Sequence, residues 1–234
     1  MTLRIDIITL FPELVQCFAD TAIIKRAREK NLVGMKVHNL RAFTSDRYRT
    51  VDDYPFGGGP GMVLKPEPIF LAVEFIKGYT NRHPRVLVTS PQGKVFNQRM
   101  AEDFSNCQHL ILICGRYQGI DQRVIELCQG EEISVGDYIL SGGELPAMII
   151  SEAVIRLIPG VLGAEESIRF DSFYNGILGP PQYTRPREFR GLTVPEVLTS
   201  GDHALIEQWR HHKALKKTRL VRPDLVPSEY NGRM

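Results

Sequence analysis

No apolar run in this sequence approaches the roughly 20 residues that a membrane-crossing helix needs, so a helical span is not expected. The opening MTLRIDIITLF is apolar, but Arg4 and Asp6 interrupt it early, which argues against a secretion leader. The cysteines are few, at Cys17, Cys107, Cys114 and Cys128, and none falls in a C-x-x-C pair or at zinc-binding distance from a histidine pair. This excludes a disulfide framework and a zinc module, and predicts no metal-ligand set; most of these cysteines sit in apolar runs as small hydrophobes. Charge is nearly balanced, with 29 Lys and Arg against 27 Asp and Glu, so any affinity for a polyanion must be local. Tryptophan occurs once, at Trp209. Together these absences predict a reduced, soluble, cytoplasmic protein.

What is present is a chain of 234 residues, 43% hydrophobic, in which short apolar runs alternate with helical patterns. The spacing predicts a strand over 3–11, a helix from Pro12 to about Lys30, a strand over 35–40, a loop over 41–61 and a helix over 66–79. A clearer series follows: strand 85–89, helix 98–105, strand 109–114, helix 120–128, strand 131–135 and helix 145–158. Such alternation predicts an α/β fold with a mostly parallel sheet covered on both faces. Beyond Pro159-Gly160 the chain becomes polar and aperiodic through Pro181, as a linker would be. Helices are predicted over 193–200 and 201–222, the latter capped by Ser200. The expected domains are 1–160, a linker over 161–181, and a small helical domain over 182–234, whose thin core calls for a partner surface.

Three of the predicted strands run into conspicuous loops: Ser90-Pro-Gln-Gly93, Cys114-Gly-Arg-Tyr-Gln-Gly-Ile-Asp121 and Ser134-Val-Gly-Asp-Tyr-Ile-Leu-Ser-Gly-Gly-Glu144. Parallel connectivity puts all three at one sheet edge, where α/β proteins bind ligands. Glycine there lets main chain approach a ligand, and Pro91, Ile139 and Leu140 can enclose it. An earlier glycine-rich stretch, YPFGGGPGM over 54–62, resembles a phosphate cradle only superficially. It lacks the following lysine, and Pro60 removes an N–H donor. The pocket suits an uncharged heterocycle with a small polar tail.

GGGPGM, SPQG, CGRYxGID, SxGDYxLSGGE, IPGVLG, YTRP and GLxVPxVL occur in this order over nearly the whole chain. The sequence closely resembles the bacterial tRNA (guanine-N1)-methyltransferases of the knotted SPOUT class. The resemblance implies a deep trefoil knot around Ser90, Gly115 and 136–143, a homodimer with a shared active site, and S-adenosylmethionine held in the knot loops. Matched motif by motif, the cofactor residues are Thr89, Ser90, Pro91, Gly115, Tyr117, Gln118, Ser134, Val135, Gly136, Tyr138, Leu140, Gly142, Gly143 and Pro146. Backbone groups of Gly115, Val135, Tyr138 and Leu140 are expected to face adenine and ribose. The chain departs from the family pattern at Gln118, where glutamate is usual, at Ile133, where many members have tryptophan, and at Phe170, where an acid is commoner.

The implied substrate is N1 of the guanosine immediately 3′ of the tRNA anticodon, preceded by another G. Guanine N1 carries a proton at neutral pH, so methylation needs a base at N1 and a donor or cation at O6. The resemblance assigns these to Asp171, in the linker, and Arg156, in SEAVIRLI; it also implies Mg2+ dependence. For tRNA contacts, Trp209–Arg222 carries Arg210, Lys213, Lys216 and Lys217 and no acid, a density suited to phosphate. Tyr183 and Arg185 add an aromatic and a charge for stacking and pairing, and Pro60 is placed beside the substrate. A catalytically inert nucleotide-sensing RNA binder and a knotted ribosomal-RNA methyltransferase are the alternative readings.

Overall fold

A computed structural model of the chain describes residues 2–80, 82–163 and 171–226. It divides into two compact units, Met1–Gly163 and Ala164–Met234.

The first unit is built on a five-stranded sheet formed by β1 (Leu3–Thr9), β2 (Val33–Asn39), β5 (Arg85–Val95), β6 (His109–Cys114) and β7 (Glu131–Ser134), in the order β2-β1-β6-β5-β7. All four pairings are parallel. Every residue of HLILIC in β6 is buried, as expected of a central parallel strand with both faces covered. One face packs Ile5, Ile7, Leu87, Leu110 and Leu112 against α1 (Pro12–Ala19), α2 (Ala22–Glu29), α4 (Gln98–Ser105) and α6 (Glu144–Ile155). The other packs Ile8, Val86, Val88, Ile111 and Ile113 against α3 (Pro66–Gly78) and α5 (Gln122–Cys128). A two-stranded ribbon, β3 (Asp52–Asp53) with β4 (Val63–Leu64), brackets the glycine-rich loop, and a short 3-10 turn occupies Leu40–Phe43.

The structure corrects several sequence expectations. The helix predicted from Pro12 to Lys30 is two helices. Asp20 closes α1, Thr21 is extended (ψ 143°), and Arg28 Nη1 donates to both the Ala19 carbonyl and Asp20 across the break. SPQG does not end β5. The strand continues to Val95 through an irregularity between Thr89 and Lys94, both of which face Ile133 of β7. The thiols differ too, with Cys114 and Cys128 buried and Cys17 exposed.

One charged residue lies in the middle of β1. Asp6 is fully buried and accepts hydrogen bonds from Arg4, Tyr79 (2.7 Å), His38 (2.7 Å) and His109 (2.8 Å). Burial alone would raise its pKa; the bonds from His109, His38, Arg4 and Tyr79 outweigh that and hold it far below the usual carboxylate range. Burial and the bond to Asp6 push the Tyr79 phenol up to about 12.

In the second unit, 193–200 is not a helix. Leu192–Thr193 (β9) pairs with Glu188–Phe189 (β8), and only Glu196–Thr199 winds, as a 3-10 turn behind Pro195. The long helix α7 spans His203–Val221, and its cap is Asp202 rather than Ser200: the Asp202 carboxylate accepts from the N–H groups of Ala204 and Leu205. Aspartate also suits the positive end of the helix dipole. Ala214 and Thr218, one turn apart, are the buried residues of α7.

Candidate active site

The loops after β5, β6 and β7 surround one cavity of about 370 Å³ in the first unit. Thr89, Ser90 and Pro91 line it from the first loop; Gly115, Tyr117 and Gln118 from the second; Ser134, Val135, Gly136, Tyr138, Leu140, Gly142, Gly143 and Pro146 from the third and the start of α6. The parallel register of β5, β6 and β7 brings these distant segments to one edge. Val88, Ile120, Ile125 and Ile133 supply apolar wall, and Ile133 thus stands in the cavity as well as in the core.

Much of the wall is main chain, held in place by glycine. A β-carbon on Gly143 would lie 1.9 Å from Thr89 Oγ1 and 2.7 Å from Gly115 N. One on Gly93 would lie 2.3 Å from backbone atoms of both Glu132 and Ile133. Gly136 has φ +149°, and its β-carbon would strike the Tyr138 ring. Tyr117, at φ 59°, is a non-glycine residue in the left-handed region beside the cavity, a conformation enriched at functional loops.

Hydrogen bonds fasten the loops to one another. Thr89 Oγ1 donates to the Ile113 carbonyl and accepts from Gly115 N–H, both at 3.1 Å; Gly143 N–H donates to the Gly115 carbonyl at 2.8 Å. Gly115 therefore spends its N–H and one carbonyl lone pair on the protein rather than on a ligand. The Val135 carbonyl accepts from the Tyr138 hydroxyl at 3.2 Å. Leu140, by contrast, makes no backbone hydrogen bond to any described residue, so both its main-chain groups are available to a ligand.

The glycine-rich stretch stands behind this wall. Pro60 is not among the lining residues. Gln118 N–H donates to the Met62 carbonyl at 2.9 Å, and the Gln118 side chain lies so close to Gly61 (φ +90°) that a β-carbon there would come within 2.8 Å. Gly57, Gly58 and Gly59 have positive φ and no neighbour near the position of a β-carbon. The stretch braces Gln118 at one end and is bare at the other.

Arg116 and Glu132 are the charged residues on the lining, and no lysine is among them. That donor set suits an uncharged heterocycle bound through main-chain groups, not a polyphosphate. It fits the adenosine part of a nucleoside cofactor.

A family model described as tRNA (Guanine-1)-methyltransferase TrmD matches residues 3–228. The chain belongs to the tRNA (guanine-1)-methyltransferase family. Among curated proteins it is 56% identical over 224 residues to a tRNA (guanine-N(1)-)-methyltransferase of Dictyoglomus turgidum, covering 96% of this chain and 90% of that one. The correspondingly named protein of Moorella thermoacetica is 56% identical over 225 residues, with the same coverages. That of Bacillus licheniformis is 49% identical over 224 residues, covering 96% and 92%. The chain is thus a methyltransferase of the SPOUT class.

The remaining predicted residues of this methyltransferase are not among the residues lining this cavity. Arg156 caps the C-terminus of α6, half-buried, in the first unit. Asp171 lies in the second unit, half-buried in a turn. Phe173 N–H donates to the Ile177 carbonyl (2.7 Å), Gly179 N–H to Ser172 Oγ (2.9 Å), and Leu178 N–H to Thr218 Oγ1 of α7 (3.0 Å). This turn and α7 enclose a cavity of about 610 Å³ lined by Asp171, Tyr174, Glu207, Arg210 and His211. Lys217 joins Asp171 and Arg210 around an adjoining one. Phe170 lies outside the described residues. Tyr183 and Trp209 face each other with ring centroids 6.2 Å apart, and Lys213 Nζ lies 5.7 Å from the Trp209 ring centre. Arg185, Lys216 and Lys217 are exposed, and Arg210 pairs with Glu207.

Several contributors were not singled out from the sequence: Val88, Arg116, Ile120, Ile125 and Glu132 help line the cavity, and Glu144 stands directly behind it. Arg116 and Ile120 lie inside CGRYQGID and Glu144 ends SGGE, so for these the signal was the motif itself; Val88, Ile125 and Glu132 carry no such signal.

Proposed function

We propose that the chain transfers the methyl group of S-adenosylmethionine to N1 of the guanosine immediately 3′ of the tRNA anticodon, acting as a homodimer. The observation that carries this reading is the cavity between the loops after β5, β6 and β7. It has main-chain walls, little charge and backbone groups on Leu140 that bond no described residue, in a chain of the tRNA (guanine-1)-methyltransferase family. The bound sulfonium supplies an activated methyl group. Leu140, Tyr138 and Gly142 would hold the nucleoside part, and Ile133, Pro91 and Pro146 would exclude water from it.

The chain's own acid–base chemistry falls to two residues. The Asp171 carboxylate accepts the N1 proton of guanine, and the Arg156 guanidinium donates to O6, stabilising charge that develops as that proton leaves. Arg210 and Lys217 line cavities shared with Asp171. RNA drawn to α7 by those cations and by Lys213 and Lys216 would therefore be delivered toward the carboxylate. Tyr183 and Trp209 offer faces for stacking.

In the proposed homodimer each active site is completed by both subunits. Exposed apolar side chains at the start of α1 and on α6 favour a second copy: Phe11, Leu14, Leu145 and Ile149 are each 41–50% exposed, the kind of surface a partner can cover. The knot of the class accords with the close passage of Gly93 over β7 and of Gly143 against Thr89. The linker is assigned to 161–181. Among the described residues no group of three or more His, Cys, Asp or Glu is placed to hold a metal ion.

Labelled methyl transfer to tRNA transcripts with and without the target guanosine tests the reading. Product should be 1-methylguanosine and should vanish without the target. Asp171→Asn should abolish turnover while cofactor binding persists; full activity in that variant would remove the assigned base. Sedimentation should give a dimer.

A further inference from the structure

We propose that Glu144 is a positioning residue for the cofactor cavity, acting through Arg116 as a latch between two of its walls. The inference rests on the methyl-donor reading above and assigns a role to a buried carboxylate that this reading does not use.

Glu144 is 3% exposed and does not line the cavity. It opens α6, directly after Gly142 and Gly143, which do line it. Its two oxygens reach separate segments. Oε1 accepts from the Thr9 hydroxyl at the end of β1, 2.9 Å away in a buried contact. Oε2 accepts from Arg116 Nη1 at 3.5 Å. Thr9 Oγ1 also accepts from Phe11 N–H at 2.9 Å, and the Arg116 guanidinium lies 4.3 Å from the centre of the Phe11 ring. One carboxylate thus joins the end of β1, the loop after β6 and the start of α6.

Arg116 is on the cavity lining and forms an antiparallel bridge with Gly142. The pair leaves no room between them: a β-carbon on Gly142 would lie 2.4 Å from Glu144 Oε2 and 2.6 Å from Arg116 Nη1. Glycine at 142 and the ion pair behind it form one device. The pair holds the 115–119 loop against the 141–144 loop, and the missing side chain lets it sit directly behind the main chain that faces the ligand. A buried carboxylate with a single cationic partner is poorly suited to adding stability, because desolvation offsets much of the attraction. It is well suited to fixing one geometry, since any other arrangement leaves the charge buried and unpaired.

The test uses the full-length protein and S-adenosylhomocysteine as probe, with calorimetric Kd, melting temperature and amide hydrogen exchange as readouts. Glu144→Gln keeps the volume and an oxygen for Thr9 but removes the charge facing Arg116; Arg116→Gln removes the other partner at a partly exposed site. Each should weaken binding on the order of tenfold, the worth of one charge-assisted hydrogen bond. Exchange should speed up in 115–119 and 141–144 of the ligand-free protein, and the double variant should be no worse than either single one. Unchanged Kd and exchange in Glu144→Gln, or losses that multiply in the double variant, would overturn the latch. A purely structural Glu144 would lower the melting temperature and leave Kd alone. If the unaltered protein binds no S-adenosylhomocysteine, the methyl-donor reading fails, and the exchange experiment still decides the latch.

Discussion

Replacing Gly93 by alanine adds one methyl group at the tightest backbone crossing in the first unit. The new carbon would sit 2.3 Å from the Glu132 carbonyl carbon and from Ile133 N, about 1 Å inside ordinary van der Waals contact. The obstacle is main chain of β7, which is hydrogen-bonded to β5 on both sides of the irregularity at Thr89 and Lys94, so no side chain can swing aside. Overpacking of this kind costs about 1–3 kcal/mol, and a fixed obstacle places Gly93→Ala near the top of that range. In a unit the size of Met1–Gly163, about 3 kcal/mol lowers the melting temperature by roughly 6–12 °C. Relief can come only from shifting β7, which carries Ser134 and leads into Val135 and Gly136 on the cavity wall; binding of S-adenosylhomocysteine should fall by at least about tenfold, the effect of some 1.4 kcal/mol. Gly78→Ala is the control. Gly78 ends α3 with no neighbour near its β-carbon position, and alanine should be neutral or stabilise by up to about 1 kcal/mol. Calorimetry and thermal melts read both. A Gly93→Ala protein that melts within about 2 °C of the parent and binds normally would refute the close-crossing argument.

Stability should fall at both ends of the pH range for reasons that meet at Asp6. Its folded pKa lies below the unfolded value near 3.8, so its contribution is complete above that pH and drains away as pH falls further. Tyr79, raised to about 12 from 10, contributes fully below about pH 10 and loses that contribution as pH rises toward 12. Chemical denaturation at stepped pH checks both limbs, and Tyr79→Phe should cost about 1 kcal/mol at neutral pH and flatten the alkaline one. Asp202→Ala removes the acceptor for two N–H groups at the start of α7 and should destabilise the second unit by about 1 kcal/mol, read by its melting transition. Lys216→Ala and Lys217→Ala, at exposed sites on α7, should each reduce the slope of log K against log salt for tRNA binding by about 0.7–0.9; an unchanged slope would take α7 off the RNA surface.

The parts of the fold that were legible in the sequence are those in which local pattern and burial agree. HLILIC is a strand because an unbroken apolar run between polar ends is what a doubly covered parallel strand requires, and helix 98–105 was read with the bounds that the structure gives it. The break after Ala19 was hidden because apolar positions continue across it. The continuation of β5 to Val95 was hidden because Ser-Pro-Gln-Gly is also turn chemistry. A carboxylate inside β1 was only partly explained locally: Arg4 is a neighbour in the same strand, but its other partners come from β2, β6 and the end of α3. In the site, glycine-rich loops at strand ends announced the cavity. The close approaches that make Gly93 and Gly143 irreplaceable depend on backbone from other segments, and no single-segment pattern encodes them. The turn carrying Asp171 read as aperiodic linker because Thr218, some forty positions downstream, supplies its anchor.

A recognition surface made of main chain also limits how the protein can escape an inhibitor. On the proposed cofactor reading, a competitor that copies the cofactor's hydrogen bonds to the segment around Leu140 would engage groups that every amino acid except proline carries. No point substitution other than proline can delete them. Escape would have to move the segment itself, and the glycines packed beneath it at 142 and 143 leave almost no room for movement that spares the natural ligand.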